Sequence, residues 1–586
     1  MRLTRLLLLG GLTAFCSPRP TVIDLPPAAI DLDQIGFIPQ GPKIAVVTGT
    51  TTTGIFYILS TNQDTVFTGH LGPLMSSTNS SLQTRLADFS ALQKTGTYTL
   101  AVPGRPPSYS FRIDQHIFSA LTAAALKGYY YQRSAMTLTP QYAGAWSRPA
   151  GHPDTQVLIH PSAASSTRPE GTIISTPGGW YDAGDYNKYI VNSGITMGTL
   201  LSAYEDFPAF FDTLHTHIPP LAPRVPDLLN EAFYNLNWML SMQDPNDGGV
   251  YHKCTNAVFD GMVMPGVTTA PRYVVQKGTA ATLDFAAVMA QAARLLKKKD
   301  RGLSHLAGSC RQAAVKAWQW AVQHPALAYN QDSINRAYQP KVTTGAYGDR
   351  NFRDEWFWAA SELFISTGDP QYGVVVKEGL DDRMTVPSWG NVYMLGVYSL
   401  LRNQSTLAAD WRPAMQSLRQ RLLQLADNYI DKLPTTAFHT VMGESRTDFI
   451  WGSNAVAANQ GILLINAWKE SKEKKYLMAA LDNLDYLTGR NATGYCFVTG
   501  MGSRSPQHPH HRPSIADGID PPVPGLLVGG PNPGRQDRQA YTYTEPETAY
   551  IDLAPAYACN EIAINWNAPL VYLAGALESL QFQFSN

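Results

Sequence analysis

Charge is what this chain has least of. Only 16% of its 586 residues are Asp, Glu, Lys or Arg, and 45 basic residues nearly cancel 46 acidic ones, for a formal net charge of -1. Such a balance offers no basic stripe to a phosphate backbone, which argues against nucleic acid as a partner. Cysteine is scarce too. Cys16, Cys254, Cys310, Cys496 and Cys559 lie far apart and form no CxxC pair, so a zinc ribbon is excluded and no disulfide pairing follows from spacing. Long apolar runs are also missing. Leu6 to Leu12 is too short to span a bilayer as a helix, and no other stretch is long enough.

That short run has another reading. Arg2 and Arg5 precede it and Cys16 follows, the layout of an export signal over residues 1–17. Leu12-Thr13-Ala14-Phe15-Cys16 loosely follows a bacterial lipobox, with Phe15 where a small residue is usual. Lipid attachment at Cys16 and ordinary secretion therefore both stand. The expected location is outside the cytoplasm, as a secreted, periplasmic or outer-membrane lipoprotein of a bacterium.

What the chain has in quantity is aromatic surface, with 29 Tyr and 12 Trp. Rings with apolar faces and polar edges suit a neutral, hydroxylated polymer. Residues 27–114 read as short strands between turns: Gly41 to Val47, Gly54 to Leu59 and Gly96 to Val102 are β-branched or aromatic runs. This predicts a small β-sandwich. From His116 the period becomes helical, and about twelve such stretches recur to residue 584, which fits an all-α barrel of paired helices. Long Gly- and Pro-rich connections separate the helices. Loops of that length inside a compact domain are usually functional.

Three clusters lie in these connections. In Gly178-Gly-Trp180-Tyr181-Asp182-Ala-Gly-Asp185-Tyr186, two carboxylates stand three residues apart among small and aromatic residues. An isolated segment of this kind is as easily a turn, but the pair also suits holding and activating a water. In His508-Pro-His510-His511-Arg512-Pro513, prolines stiffen a donor-rich loop. No Asp, Glu or Cys stands at ligand spacing, so hydrogen bonding to substrate or to a carboxylate fits better than metal. In Asp552 to Ala568, Glu561 stands at the start of an apolar helix among Tyr and Trp. A capping role is the ordinary explanation, and a raised pKa suited to a general acid is the functional one.

Together these clusters resemble glycoside hydrolase family 9, a cellulase family in which an immunoglobulin-like module can precede an (α/α)6 barrel. Asp182-Ala-Gly-Asp185 is similar to its nucleophilic-water motif, Pro509-His510-His511-Arg512 to its histidine motif, and Asp552 with Glu561 to its acidic signature. The resemblance implies an inverting hydrolase that needs no cofactor for its chemistry. Asp185 is then the base, Asp182 its helper and Glu561 the acid, with His510 and Asp552 in the catalytic set. Arg512 and His511 are expected to bind substrate. The aromatic residues Trp180, Tyr181, Trp356, Trp358, Trp451 and Tyr543 are expected sugar platforms. Residues 162–177 and 521–533 are candidate end walls of the cleft. A structural calcium is expected at Asp349, Asp354 and Glu355. The zinc site of some relatives is expected to be lost, because Ser134 and Gly151 stand where cysteines belong while His152 and His160 remain.

The substrate expected from this is a β-1,4-glucan, cut internally. No separate cellulose-binding module is visible, which favours soluble or amorphous glucans. An exo-acting enzyme, a β-glucosidase, glucosaminidase or cellobiohydrolase of the same family, is the alternative. A non-catalytic glucan-binding surface protein is the alternative of another class.

Overall fold

The computed structural model describes residues 29–585 except 52, 222–224 and 300–302. The export signal and Cys16 lie outside the described residues. The amino-terminal part is a sandwich of two four-stranded sheets. Its strands are β1 (Ile30–Asp31), β2 (Ile44–Thr48), β3 (Ile55–Ser60), β4 (Thr65–His70), β5 (Met75–Ser76), β6 (Gln83–Asp88), β7 (Gly96–Ala101) and β8 (Phe111–Ile113). One sheet runs β1-β2-β6-β5 and the other β4-β3-β7-β8. Period-two alternation places Tyr98 and Leu100 of β7 inside. There the Phe37, Phe89 and Phe111 rings meet at 5.2–5.4 Å centroid distances. Strand β2 departs from the alternation because both its faces are covered. Val46 packs outward on Ala437, Phe438 and Ala492 of the helical part. Polar ties cross the same seam: Gln34 Nε2 donates to Gly494 O (2.9 Å) and Asn79 Nδ2 to Gly443 O (2.6 Å).

Twelve long helices follow among the described residues, in alternating outer and inner positions. The outer ones are Ser119–Tyr131, Asp227–Ser241, Ser304–Gln323, Pro370–Gly379, Arg412–Ile430 and Lys474–Thr488. The inner ones are Ile190–Asp206, Thr279–Lys299, Arg353–Thr367, Tyr393–Arg402, Ser453–Ser471 and Ile564–Ser579. Inner helices meet protein on both faces; Ile190 to Tyr204 is buried without a break. Gly198 is needed there, since a Cβ would stand 2.5 Å from Trp358 Cζ2. The result is an (α/α)6 barrel carrying an immunoglobulin-like module.

One feature departs from the all-α expectation. Five short strands, β9 (Val157–Ile159), β10 (Ile173–Ile174), β11 (Lys188–Tyr189), β12 (Lys253–Asn256) and β13 (Arg272–Val274), form a sheet in the order β10-β9-β13-β12-β11. It gathers the connections before and after two helices into one rigid floor. Cys254, Cys310, Cys496 and Cys559 are each buried and free, so no disulfide forms among the described residues.

Candidate active site

Backbone contacts knit the three clusters together. Ala183 bridges Ala563, His510 bridges Glu561, and Ile564 N donates to Asp182 O at 2.9 Å. Gly184 permits the approach: a Cβ there would lie 2.2 Å from His510 O. Arg512 closes the knot, its Nη1 donating to Gly184 O (2.7 Å) and its Nε to Asp260 O (3.0 Å).

The two aspartates are held differently. Asp182 is 1% exposed. Asn192 Nδ2 donates to its Oδ1 and the Tyr347 hydroxyl to its Oδ2, both at 2.8 Å. Burial and the Asp185 charge push its carboxyl up to about 8 against those two bonds. All hydrogen bonds to Asp185 reach Oδ2, from Asn187 and from the Tyr189 hydroxyl at 3.3 Å, which leaves Oδ1 to the cleft. Burial, then the charges of Asp185 and Asp182, raise Glu561 well above the usual carboxyl range, with Arg512 opposing. Glu561 is not at the helix start. It is extended (ψ 156°), three residues before Ile564, and its carbonyl accepts from Gly529 N at 2.8 Å. The capping explanation therefore does not apply.

His510 donates from Nδ1 to Ala554 O at 2.7 Å, so Nε2 is the atom left for the cleft. Burial lowers its pKa, which keeps the ring neutral. Asp552 stands behind this loop. It accepts from the backbone N of Gln507 and His508 and from Asn560 Nδ2 at 2.7–3.0 Å. It shapes the loop instead of facing the cleft. His511 is 1% exposed and donates from Nε2 to Gln132 Oε1 at 2.9 Å, which corrects its expected contact with substrate.

The cleft has a volume of about 920 Å³. Asp182, Asp185, Glu561, His510 and Arg512 line it together with Tyr347, Trp389, Trp451, Tyr557 and Trp566. The expected platforms need correction. Trp180, Tyr181 and Trp358 are fully buried; Trp180 gives its indole N–H to Glu231 (2.8 Å) and Tyr181 its hydroxyl to contact with His152 (3.0 Å). Trp356 packs edge-on against Trp318, and Tyr543 is exposed outside the cleft. Trp451 alone of that set lines the cleft. Residues 162–177 and 521–533 contribute nothing to its lining. Sequence reasoning missed Tyr347, Trp389 and Trp566. Trp566 stands between Asp552 and Ala568, and Tyr347 two residues before Asp349.

In the segment expected to hold calcium, Asp354 and Glu355 are buried beside Asp284. Asp354 Oδ1, Glu355 Oε2 and both Asp284 oxygens have no hydrogen-bond partner. Burial raises all three carboxyls; the Asp349 charge adds to each, and the Asp354 charge adds to Asp284 and Glu355. No three His, Cys, Asp or Glu side chains among the described residues converge to metal-holding distance. Of the residues read for zinc, Ser134 donates to Gly178 O (2.7 Å) and a Cβ on Gly151 would strike Pro265 O.

A raised glutamic acid and an aspartate with a free oxygen, facing one aromatic cleft in an (α/α)6 barrel, define a glycoside hydrolase. The profile of glycosyl hydrolase family 9 matches residues 118–574, and that of the cellulase N-terminal ig-like domain residues 26–106. A xyloglucan-specific endo-beta-1,4-glucanase, BoGH9A of Bacteroides ovatus, is 46% identical over 98% of this chain and 97% of its own. Endoglucanase D of Acetivibrio thermocellus is 34% identical over 93% of this chain and 83% of its own. A solved Bacteroides ovatus GH9 structure superposes with a TM-score of 0.90 at 46% identity, covering 95% of this chain and all of the other. A thermostable endoglucanase of Alicyclobacillus acidocaldarius gives 0.83 at 32%, over 94% and 100%. The chain belongs to glycosyl hydrolase family 9. It is an endo-β-1,4-glucanase that uses no cofactor for its chemistry.

Proposed function

We propose that the enzyme cleaves a soluble, branched β-1,4-glucan of the xyloglucan class with inversion of configuration. The observation that carries the mechanism is the split within the aspartate pair: Asp182 has both oxygens bonded, whereas Asp185 keeps Oδ1 for the cleft. Glu561, protonated through burial and neighbouring charge, gives its proton to the glycosidic oxygen as the C1–O bond breaks. Water adds to C1 from the opposite face and passes a proton to Asp185 Oδ1, with Asp182 steadying it. Attack opposite the leaving group inverts the anomeric centre. His510 Nε2, an acceptor in the neutral ring, and Arg512, a donor, border the same space and are read as sugar-binding or orienting groups.

The xyloglucan reading rests on the Bacteroides ovatus relative, which matches this chain nearly end to end. An open cleft with Phe259 at its edge, 46% exposed, supports it by leaving room for branches. Initial rates on xyloglucan, mixed-linkage glucan and a soluble cellulose derivative test the substrate, with viscosity followed against reducing ends. A steep viscosity fall on xyloglucan is expected. Slow thinning with steady release of a mono- or disaccharide would make the exo alternative correct.

Two further readings belong here. The orphaned oxygens of Asp354 and Glu355 support a structural calcium, because hard, unpartnered carboxylates suit that ion; with the half-buried Asp349 nearby, backbone carbonyls or water would complete its shell. The basic-apolar-Cys order of residues 1–17 supports export, with Cys16 as the point of lipid attachment if lipidated. Cell fractionation of wild type and Cys16→Ser distinguishes a membrane-held from a released protein.

A further inference from the structure

Lys253 is a fully buried cation outside the chemistry described so far. It lies on β12 beside His252, and the register pairs it with Tyr189 of β11. Its Nζ donates to Gln331 Oε1 (2.7 Å), Thr344 Oγ1 (3.0 Å) and Gly345 O (2.6 Å). An ammonium has three N–H donors and a neutral amine two, so three acceptors in place select the charged form. The Tyr189 and Tyr329 rings flank it at 5.5 and 5.6 Å.

The loop it holds touches both aspartates. Gly345 N donates to the Tyr189 hydroxyl oxygen (3.0 Å), and that hydroxyl donates to Asp185 Oδ2 (3.3 Å). Two residues on, the Tyr347 hydroxyl donates to Asp182. Tyr347 holds a left-handed backbone (φ 45°), rare for a non-glycine residue and stable only where its surroundings impose it. His252 Nε2 supplies a second anchor at Ala346 O (2.8 Å).

We propose that Lys253, as an ammonium, is a positioning residue that fixes the 344–347 loop and the Tyr189 hydroxyl, and through them the orientation of Asp182 and Asp185. The role rests on those aspartates being the water-activating pair. Burial draws the Lys253 ammonium down to about 7, with the Asp185 charge opposing. The other titratable groups around it are His252, held neutral by burial, and Tyr189 and Tyr329, whose hydroxyls burial raises. His160 feels its charge, as His252 does. Loss of the Lys253 proton removes one of the three anchors, so turnover declines on the alkaline side. Asp182, pushed up to about 8, and Glu561, raised well above the usual carboxyl range, bear on the same limb, so the test removes the need for Glu561 and compares Lys253→Arg with wild type to separate Lys253 from Asp182.

The test uses the full-length enzyme and a dinitrophenyl β-oligoglucoside, whose leaving group needs no proton from Glu561. Over pH 5–9 the wild type is expected to lose kcat on the alkaline side. Lys253→Met is expected to lower kcat about 10- to 100-fold, the loss that ångström-scale misplacement brings, with KM little changed. Lys253→Arg, which does not titrate, should move the alkaline limb upward by more than about one pH unit. A flat wild-type profile to pH 9, a normal kcat in Lys253→Met, or an unmoved limb in Lys253→Arg would each overturn the role. Should these variants fail to fold by circular dichroism, Thr344→Val and Gln331→Leu each remove one acceptor of the ammonium in their place, and an unchanged kcat in both would overturn the role. Asp185→Asn checks the pair separately: a normal Lys253→Met beside an inactive Asp185→Asn removes only the Lys253 role.

Discussion

Glu561→Gln separates the acid from every other part of this site. The amide matches the carboxyl in shape, so the bridge between Glu561 and His510 and the Gly529 N–H bond to its carbonyl are retained. Only the transferable proton is lost. Burial and the charges of Asp185 and Asp182 keep that proton on Glu561 near neutral pH. General acid help is worth roughly 10²- to 10⁴-fold, or about 3–5.5 kcal/mol of barrier. On xyloglucan, kcat should fall by that factor with KM nearly unchanged, since no binding contact is removed. On a dinitrophenyl β-oligoglucoside the same variant should stay within about tenfold of wild type, because the departing phenolate needs no proton. Steady-state kinetics on the two substrates, with a thermal melt to confirm folding, complete the assay. Equal losses on both would refute the reasoning, since Glu561 would then be shaping the cleft instead of donating a proton.

Asp185→Asn should abolish turnover on both substrates, whereas Asp182→Asn, whose oxygens are already bonded by Asn192 and Tyr347, should retain more activity; the reverse order would move the base to Asp182. At the seam between module and barrel, burial raises the Asp33 carboxyl from 3.8 to about 6 beside Asp485. Asp33 thus holds its proton more tightly folded than unfolded, and its contribution is complete below about pH 4 and lost as pH rises through about 6. At roughly 1.4 kcal/mol per pH unit the rise corresponds to about 3 kcal/mol. Melting temperatures from pH 4 to 8 should fall less steeply in Asp33→Asn than in wild type, and equal slopes would contradict the assignment. Calcium should raise the melting temperature of a chelator-treated sample, and Asp354→Asn should abolish the response; a wild type indifferent to calcium would remove the calcium reading.

Much of the architecture was legible because it is written in short-range periodicity. The apolar runs of β2, β3 and β7 and the helical spacing of all twelve barrel helices follow from neighbours a few residues apart. Asp182, Asp185, Glu561 and His510 were legible for a related reason. Carboxylates among small and aromatic residues, and a proline-stiffened histidine loop, announce chemistry wherever the chain later puts them.

Facing and partnership were decided elsewhere. Trp180 and Trp358 look like platforms in sequence, yet the closed double ring of helices leaves their positions no solvent side, and both became core. Trp389 and Trp566 gained the cleft because a loop and the first turn of a helix 177 positions apart (566 minus 389) meet over the same end of the barrel. Asp552 and His511 stand within or beside recognised motifs, but loop closure turned one onto backbone N–H groups and the other into the interior. The five-stranded floor had no sequence signal, since β10 and β11 have two residues each and are strands only because distant segments supply their hydrogen bonds. The sequence by itself determined which groups are available to react. Which of them line one cleft was settled by long-range hydrogen bonding and burial, terms that no local window of the chain contains.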